Sequence, residues 1–168
     1  HHTPEPLTLA DYRMRYAQYK TDPDLQAAHA CAPWLVTWDD HEVDNDYAGD
    51  VSEQDDDRTA FLERRAAAYQ AWYEHMPVRL DPPDGPDYEI YRSFAHGDLV
   101  RFHVLDTRQY RADQQRSAPF VEQLGDAVQV RDETLADDLG QTILGEAQRT
   151  WLIDGVAASN AVWDVLAQ

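Results

Sequence analysis

Residues 34–47 read WLVTWDDHEVDNDY: a short apolar run from Trp34 to Trp38, then five carboxylates, an imidazole, an amide and a phenol in quick succession. The brevity of the run and its Trp, Leu, Val and Thr content predict a buried strand over 34–38, and a strand apolar along its whole length fits the interior of a parallel or mixed sheet. The acids then fall just past its C-terminal end, the edge of an open α/β sheet where loops diverge and ligands bind. Carboxylates crowded there repel one another unless a cation or an arginine neutralises them. A solvated acidic turn is the plainer reading, and a cation site the sharper one.

The flanking segments extend the same pattern. Residues 8–19 place Leu9, Tyr12, Tyr16 and Tyr19 at helical spacing behind Thr8, which predicts an amphipathic helix capped by that threonine. Pro23 suits the first turn of a second helix over 24–29, and Cys31 is expected as a small core thiol. The charged stretch 50–58 is expected at the surface, ahead of a helix over 59–75 with Phe61, Leu62, Arg65, Ala68, Tyr69 and Trp72 on one side. Prolines and a glycine in 81–86 mark a loop. Alternation in 88–95 and 98–106 about His96-Gly97 predicts a β-hairpin. Residues 112–142 lack clear periodicity and are expected to be mostly loop. Residues 144–158 read as a helix burying Ala147, Trp151 and Leu152, and 161–167 as a further strand. The sum is an α/β domain, a mixed sheet flanked by helices.

Composition narrows the function classes. At 168 residues and 43% hydrophobic content the chain holds material for about one core. With 14 Lys and Arg against 32 Asp and Glu, the formal charge of −18 opposes nucleic acid and anionic membrane surfaces, since phosphate backbones need clustered Lys and Arg. No apolar run approaches the roughly 20 residues of a membrane span. A single cysteine excludes an intramolecular disulfide and a multi-thiolate zinc site, so any metal here is held by oxygen and imidazole.

Oxygen-rich donor sets suit hard cations, and imidazole widens the choice to transition metals. Adjacent Asp39 and Asp40 diverge after a strand, and Asp40, with His41 beside it, is the one expected to face a pocket. Arg108, just past the second hairpin arm, can grip a phosphate oxygen in bidentate fashion or pair with one of the acids, and the two readings are level. Asp106 reads as a structural cap before a ligand, and Tyr47 as a buried, hydrogen-bonded phenol before a metal phenolate. His75, His96 and His103 read as structural.

Three segments carry a family resemblance. PWLVTWDDHEVDNDYAGD at 33–50, VLDTRQYR at 104–111 and LGEAQRTWL at 144–152 resemble the PhoD-like alkaline phosphatases, metal-dependent phosphomonoesterases or phosphodiesterases of the calcineurin-like metallophosphoesterase group. The resemblance implies part of a metallophosphoesterase-type sandwich. It implies that Asp40 ligates a metal, in the place of the Asn of that group's Gly-Asn-His-Asp/Glu turn, and that His41 stabilises the transition state or protonates the leaving oxygen. Asn45 follows as a further oxygen ligand or phosphate contact. It also implies Ca2+ and Fe3+ as metals, a small-molecule phosphate ester as substrate, and a secreted, periplasmic or cell-surface setting. The family's Gly-Asp-x-Ile-Tyr loop and Thr-Gly-Asp-x-His motif have no counterpart in this sequence. Residues 1–168 are therefore expected to be an internal part of one such domain, inactive by itself. A non-catalytic acidic cation-binding module, or a structural one, is the alternative.

Overall fold

The computed structural model describes residues 4–54, 56–113, 121–124, 127–130 and 141–168. In chain order the elements are α1 (Leu9–Lys20), α2 (Pro23–Cys31), α3 (Arg58–His75), β1 (Arg92–His96), β2 (Val100–Val104), β3 (Val121–Leu124), β4 (Ala127–Val130), α4 (Gly145–Ala157) and β5 (Trp163–Ala167). β2 is central to a mixed sheet, antiparallel to β1 and parallel to β5, so the expected α/β class holds.

The helices start where side chains can satisfy the unpaired N–H groups of a first turn. Thr8 caps α1 in a reciprocal box with Asp11. Asp22 caps α2 with Pro23 in its first turn, and Asp57 caps α3 through the N–H groups of Thr59 and Ala60. α3 buries Phe61, Ala68, Tyr69, Ala71 and Trp72, and α1 docks on it through Tyr12 and through an Arg13–Glu74 ion pair. The Trp38 indole lies flat on Tyr69, with centroids 4.1 Å apart and planes 1° from parallel, and meets Trp72 edge-on. Such aromatic packing joins a large buried area to a preferred geometry. It fastens the start of the acidic stretch to α3.

Four expectations need correction. Residues 34–38 form no strand and pair in no ladder among the described residues. Side chains tie them to the sheet region instead: Arg92 donates to the Val36 carbonyl at 2.7 Å and Thr37 to the Leu105 carbonyl at 2.7 Å. Only Val36 and Trp38 of this run are buried; Trp34 and Leu35 are exposed. Cys31 is exposed too, at the end of α2, rather than in the core. In α4 the buried side chain is Gln148; Ala147 is exposed, while Trp151 and Leu152 are half-buried. Within 112–142, β3 and β4 pair antiparallel where loop was expected, and most of the rest of that range lies outside the described residues.

The hairpin is shorter than its alternation predicts: His96 pairs with Val100 across a three-residue connection in which Gly97 takes φ +58°. β2 then runs into Leu105 and Asp106 and delivers the 106–111 segment beside the acidic turn.

Candidate functional site

The acidic stretch folds into a single helical turn followed by a reversal. Asp40 accepts at its carbonyl from Val43 N at 2.8 Å and Asp44 N at 2.9 Å, and Glu42 reaches back to accept the Asp39 N–H at 2.6 Å. That last contact is half of a capping box, so Glu42 closes the turn. Asp46 adopts φ +53°, a left-handed conformation that Asp tolerates better than most residues. It aims its N–H at Asp40 Oδ2, 2.7 Å away.

Asp39 and Asp40 diverge as expected, Asp39 to the surface and Asp40 to the interior. Burial opposes ionisation of Asp40, but the Asp46 N–H and the Arg108 charge outweigh it and hold the carboxyl below the usual carboxylate range. Asp40 is thus ready as an anion.

His41 stands at the rim, its side chain 76% exposed, with Nε2 4.0 Å from Asp40 Oδ2 and 2.9 Å from Asn45 Oδ1. The Asn45 amide donates through Nδ2 to Glu53 Oε1 at 2.7 Å, which leaves Oδ1 facing the imidazole. An oxygen there only accepts, so the proton of the His41–Asn45 contact sits on His41 Nε2. The structure therefore gathers Asp40, His41 and Asn45 in one turn and presents a ring nitrogen that carries a proton.

Arg108 joins them from the other segment. Its guanidinium lies 3.0 Å from Asp39 Oδ1 and 3.4 Å from Asp40 Oδ1, which realises the ion-pair reading of this residue. It also borders a cleft of about 500 Å³ together with Thr37, Asp39, Thr107 and Arg111. Its Nη1 is buried and has no hydrogen-bond partner among the described residues. Asp106 is fully buried and acts as a cap, accepting the N–H groups of Arg108 and Gln109 at 2.9 Å each. Burial pushes its carboxyl up, against those same N–H groups. Tyr47 is fully buried with its hydroxyl 3.2 Å from that of Tyr69, and burial raises its pKa, which leaves it a neutral phenol.

Behind the turn stands a network that sequence reasoning missed. Arg64 of α3 is 8% exposed in its side chain and reaches Asp44 Oδ1 at 3.1 Å, Glu5 at 3.0 Å and the Val43 carbonyl at 3.0 Å. The Tyr12 hydroxyl donates to the same carbonyl at 2.5 Å and accepts from Arg64 Nε at 2.9 Å. An arginine on the apolar side of a helix is the only trace of this in the sequence. On the far side Arg65 donates to the Gly49 carbonyl at 2.5 Å and pairs with Asp87 at 2.7 Å. Neither arginine is free to meet a ligand. The acidic run 50–58 is also partly engaged: Asp50 pairs with Arg58, Asp56 N–H meets Ser52 and Asp57 caps α3.

Oxygen donors from Asp40 and Asn45 suit a hard cation, yet no three His, Cys, Asp or Glu side chains converge to hold one among the described residues. The two fit as part of a ligand set and do not complete it.

The family model described as PhoD-like phosphatase matches residues 1–168. Alkaline phosphatase D of Bacillus subtilis (strain 168) is 48% identical over 169 residues, covering 100% of this chain and 27% of that protein. A solved structure described as "Structure of PhoD" superposes with a TM-score of 0.86 at 48% identity, over 100% of this chain and 31% of the other. The chain thus spans about a third or less of the relatives it matches.

Proposed function

Since the chain belongs to the PhoD-like phosphatase family and shares the fold of its solved relative, we propose that it forms one wall of the active site of a metal-dependent phosphoric ester hydrolase. The observation that carries the reading is the convergence of a buried anionic Asp40, a proton-bearing His41 Nε2 and the Arg108 guanidinium from two separate segments. Asp40 and Asn45 would hold a hard cation as two of its ligands, calcium or iron in the family reading, with the remaining ligands supplied from outside the described residues. A bound cation of this kind would act as a Lewis acid on the phosphoryl group.

The residues of this chain have separable tasks. Arg108 offers the phosphoryl oxygens a planar pair of donors, and Asp39 and Asp40 hold that plane in place until substrate competes for it. His41, exposed at the rim, releases its Nε2 proton from Asn45 Oδ1 when substrate binds and donates it to the departing ester oxygen. Asn45 orients the imidazole and is itself oriented by Glu53. A small phosphate ester is the substrate class, and the excess of acid argues against nucleic acid. The same reading implies an extracytoplasmic setting.

The test is hydrolysis of p-nitrophenyl phosphate and of a bis-ester by the full-length protein, with calcium and iron supplied. Calorimetry of calcium binding accompanies it. Wild-type turnover, with turnover and calcium affinity both lost in Asp40→Ala, is the expected result. Calcium binding untouched by Asp40→Ala, in a protein without turnover, would instead favour the non-catalytic cation-binding module.

A further inference from the structure

The 144–152 motif contributes no side chain to the site just described, yet its Gln148 is among the most buried polar residues, at 1% exposure. We infer that Gln148 is a positioning residue for Arg108, acting through Asp106. Gln148 Oε1 accepts the Asp106 N–H at 2.8 Å and Nε2 donates to the Asp106 carbonyl at 2.7 Å, so one amide clamps both main-chain groups of that residue. The same Nε2 meets the Leu144 carbonyl at 3.1 Å, which ties the clamp to the start of its own helix.

Asp106 then passes the constraint on. Its Oδ1 accepts the Arg108 N–H at 2.9 Å, its Oδ2 accepts Gln109 Nε2 at 3.1 Å, and the Gly49 N–H donates to the Arg108 carbonyl at 2.9 Å. The Arg108 main chain is held at both its polar groups, and the guanidinium extends from that anchor to Asp39 and Asp40. α4 has an independent fastening to this segment. Gly145 takes φ +67°, and a Cβ there would stand 3.1 Å from the Tyr110 Cβ. The helix therefore sits close enough for its glutamine to reach Asp106.

Because a bidentate contact is sensitive to displacement, a shift of about 1 Å at such a group costs on the order of 10²-fold in rate. Gln148 touches neither Arg108 nor the acids, so its effect on turnover passes through the Asp106 cap.

The inference rests on the reading of Arg108 as a phosphate contact, and a double-mutant cycle separates the two. Gln148→Leu and Gln148→Glu are each made in the full-length protein, alone and with Arg108→Ala, and kcat/KM for p-nitrophenyl phosphate is measured beside thermal unfolding. The glutamate variant keeps the acceptor for the Asp106 N–H and carries the cycle if the leucine variant does not fold. The expected result is a loss of about tenfold or more with Arg108 present and less than about twofold with Arg108→Ala. Equal losses in both backgrounds, or no loss in either, overturn the positioning role and leave the reading of Arg108 standing. Full activity in Arg108→Ala alone overturns the reading itself.

Discussion

The guanidinium of Arg108 lies between the carboxylates of Asp39 and Asp40, 3.0 Å from the first and 3.4 Å from the second, although 69 residues separate it from Asp39 in the chain. Asp39 is exposed and Asp40 buried, so the two halves of this bridge differ in strength: the solvated half is screened and the interior half is not. Arg108→Ala is expected to lower kcat/KM for a phosphate monoester by about 10²-fold, and Arg108→Lys to recover only part of it, since an ammonium lacks the planar fork. Steady-state kinetics on the two variants check this. The Asp40 carboxyl should also titrate at higher pH in Arg108→Ala, because one cause of its depression is removed.

His41 is expected to separate chemistry from stability. Its side chain is 76% exposed, and it meets Asn45 Oδ1 at 2.9 Å. His41→Ala should lower kcat by about 10²- to 10⁴-fold with little change in the thermal midpoint. A variant that keeps full turnover would take His41 out of the proposed mechanism.

Arg64 is expected to behave in the opposite way. It is buried with Asp44, and Arg64→Ala strands that carboxylate without its cation, a change that costs about 3–5 kcal/mol. Tyr12→Phe removes a donor to the Val43 carbonyl, which keeps Arg64, and also the acceptor of the Arg64 Nε–H, and should cost about 1–3 kcal/mol. Denaturant unfolding measures both. A clearly larger loss of stability in the first than in the second is the expected pattern.

The α1–α3 contact carries a pH signature at acid. The hydrogen bond from Arg13 holds the Glu74 carboxyl down at about 2. A carboxyl with a depressed folded pKa contributes stability above its unfolded value, near 4.5, and loses it as pH falls through the folded value. The contribution should therefore fade between about pH 4.5 and 2, and Glu74→Gln should flatten the stability profile in that window. Its size is small because Arg13 is about half exposed and the pair is screened.

Much of this architecture was legible in the sequence because local chemistry marks it. Thr8, Pro23, and the spacing of Phe61, Ala68, Tyr69 and Trp72 declare helices and the face that the longest of them buries. Asp40, His41 and Asn45 were legible as a group since one turn contains them. What escaped was long-range. The apolar run at 34–38 suggests a strand but cannot supply its partners, which turned out to be the Arg92 side chain at the Val36 carbonyl and the Leu105 carbonyl at the Thr37 hydroxyl. The buried roles of Arg64 and Gln148 escaped for a related reason. Each is a polar residue on a face that pattern reading reserves for apolar ones, and only the opposite segment explains its presence.

The glutamines of the 104–111 and 144–152 segments share one property whose consequence reaches past this site. Gln109 receives the Tyr88 N–H at 2.7 Å and donates to the Tyr88 carbonyl at 2.9 Å, as Gln148 does for Asp106. A carboxamide offers the same donor and acceptor as a peptide unit, so each glutamine stands in for one residue of an adjoining strand. At Asp106, two residues past the end of β2, that imitation satisfies the main chain for a single residue and then stops, and the chain there turns into the 106–111 segment through the Asp106 cap. A full neighbouring strand would have kept it straight.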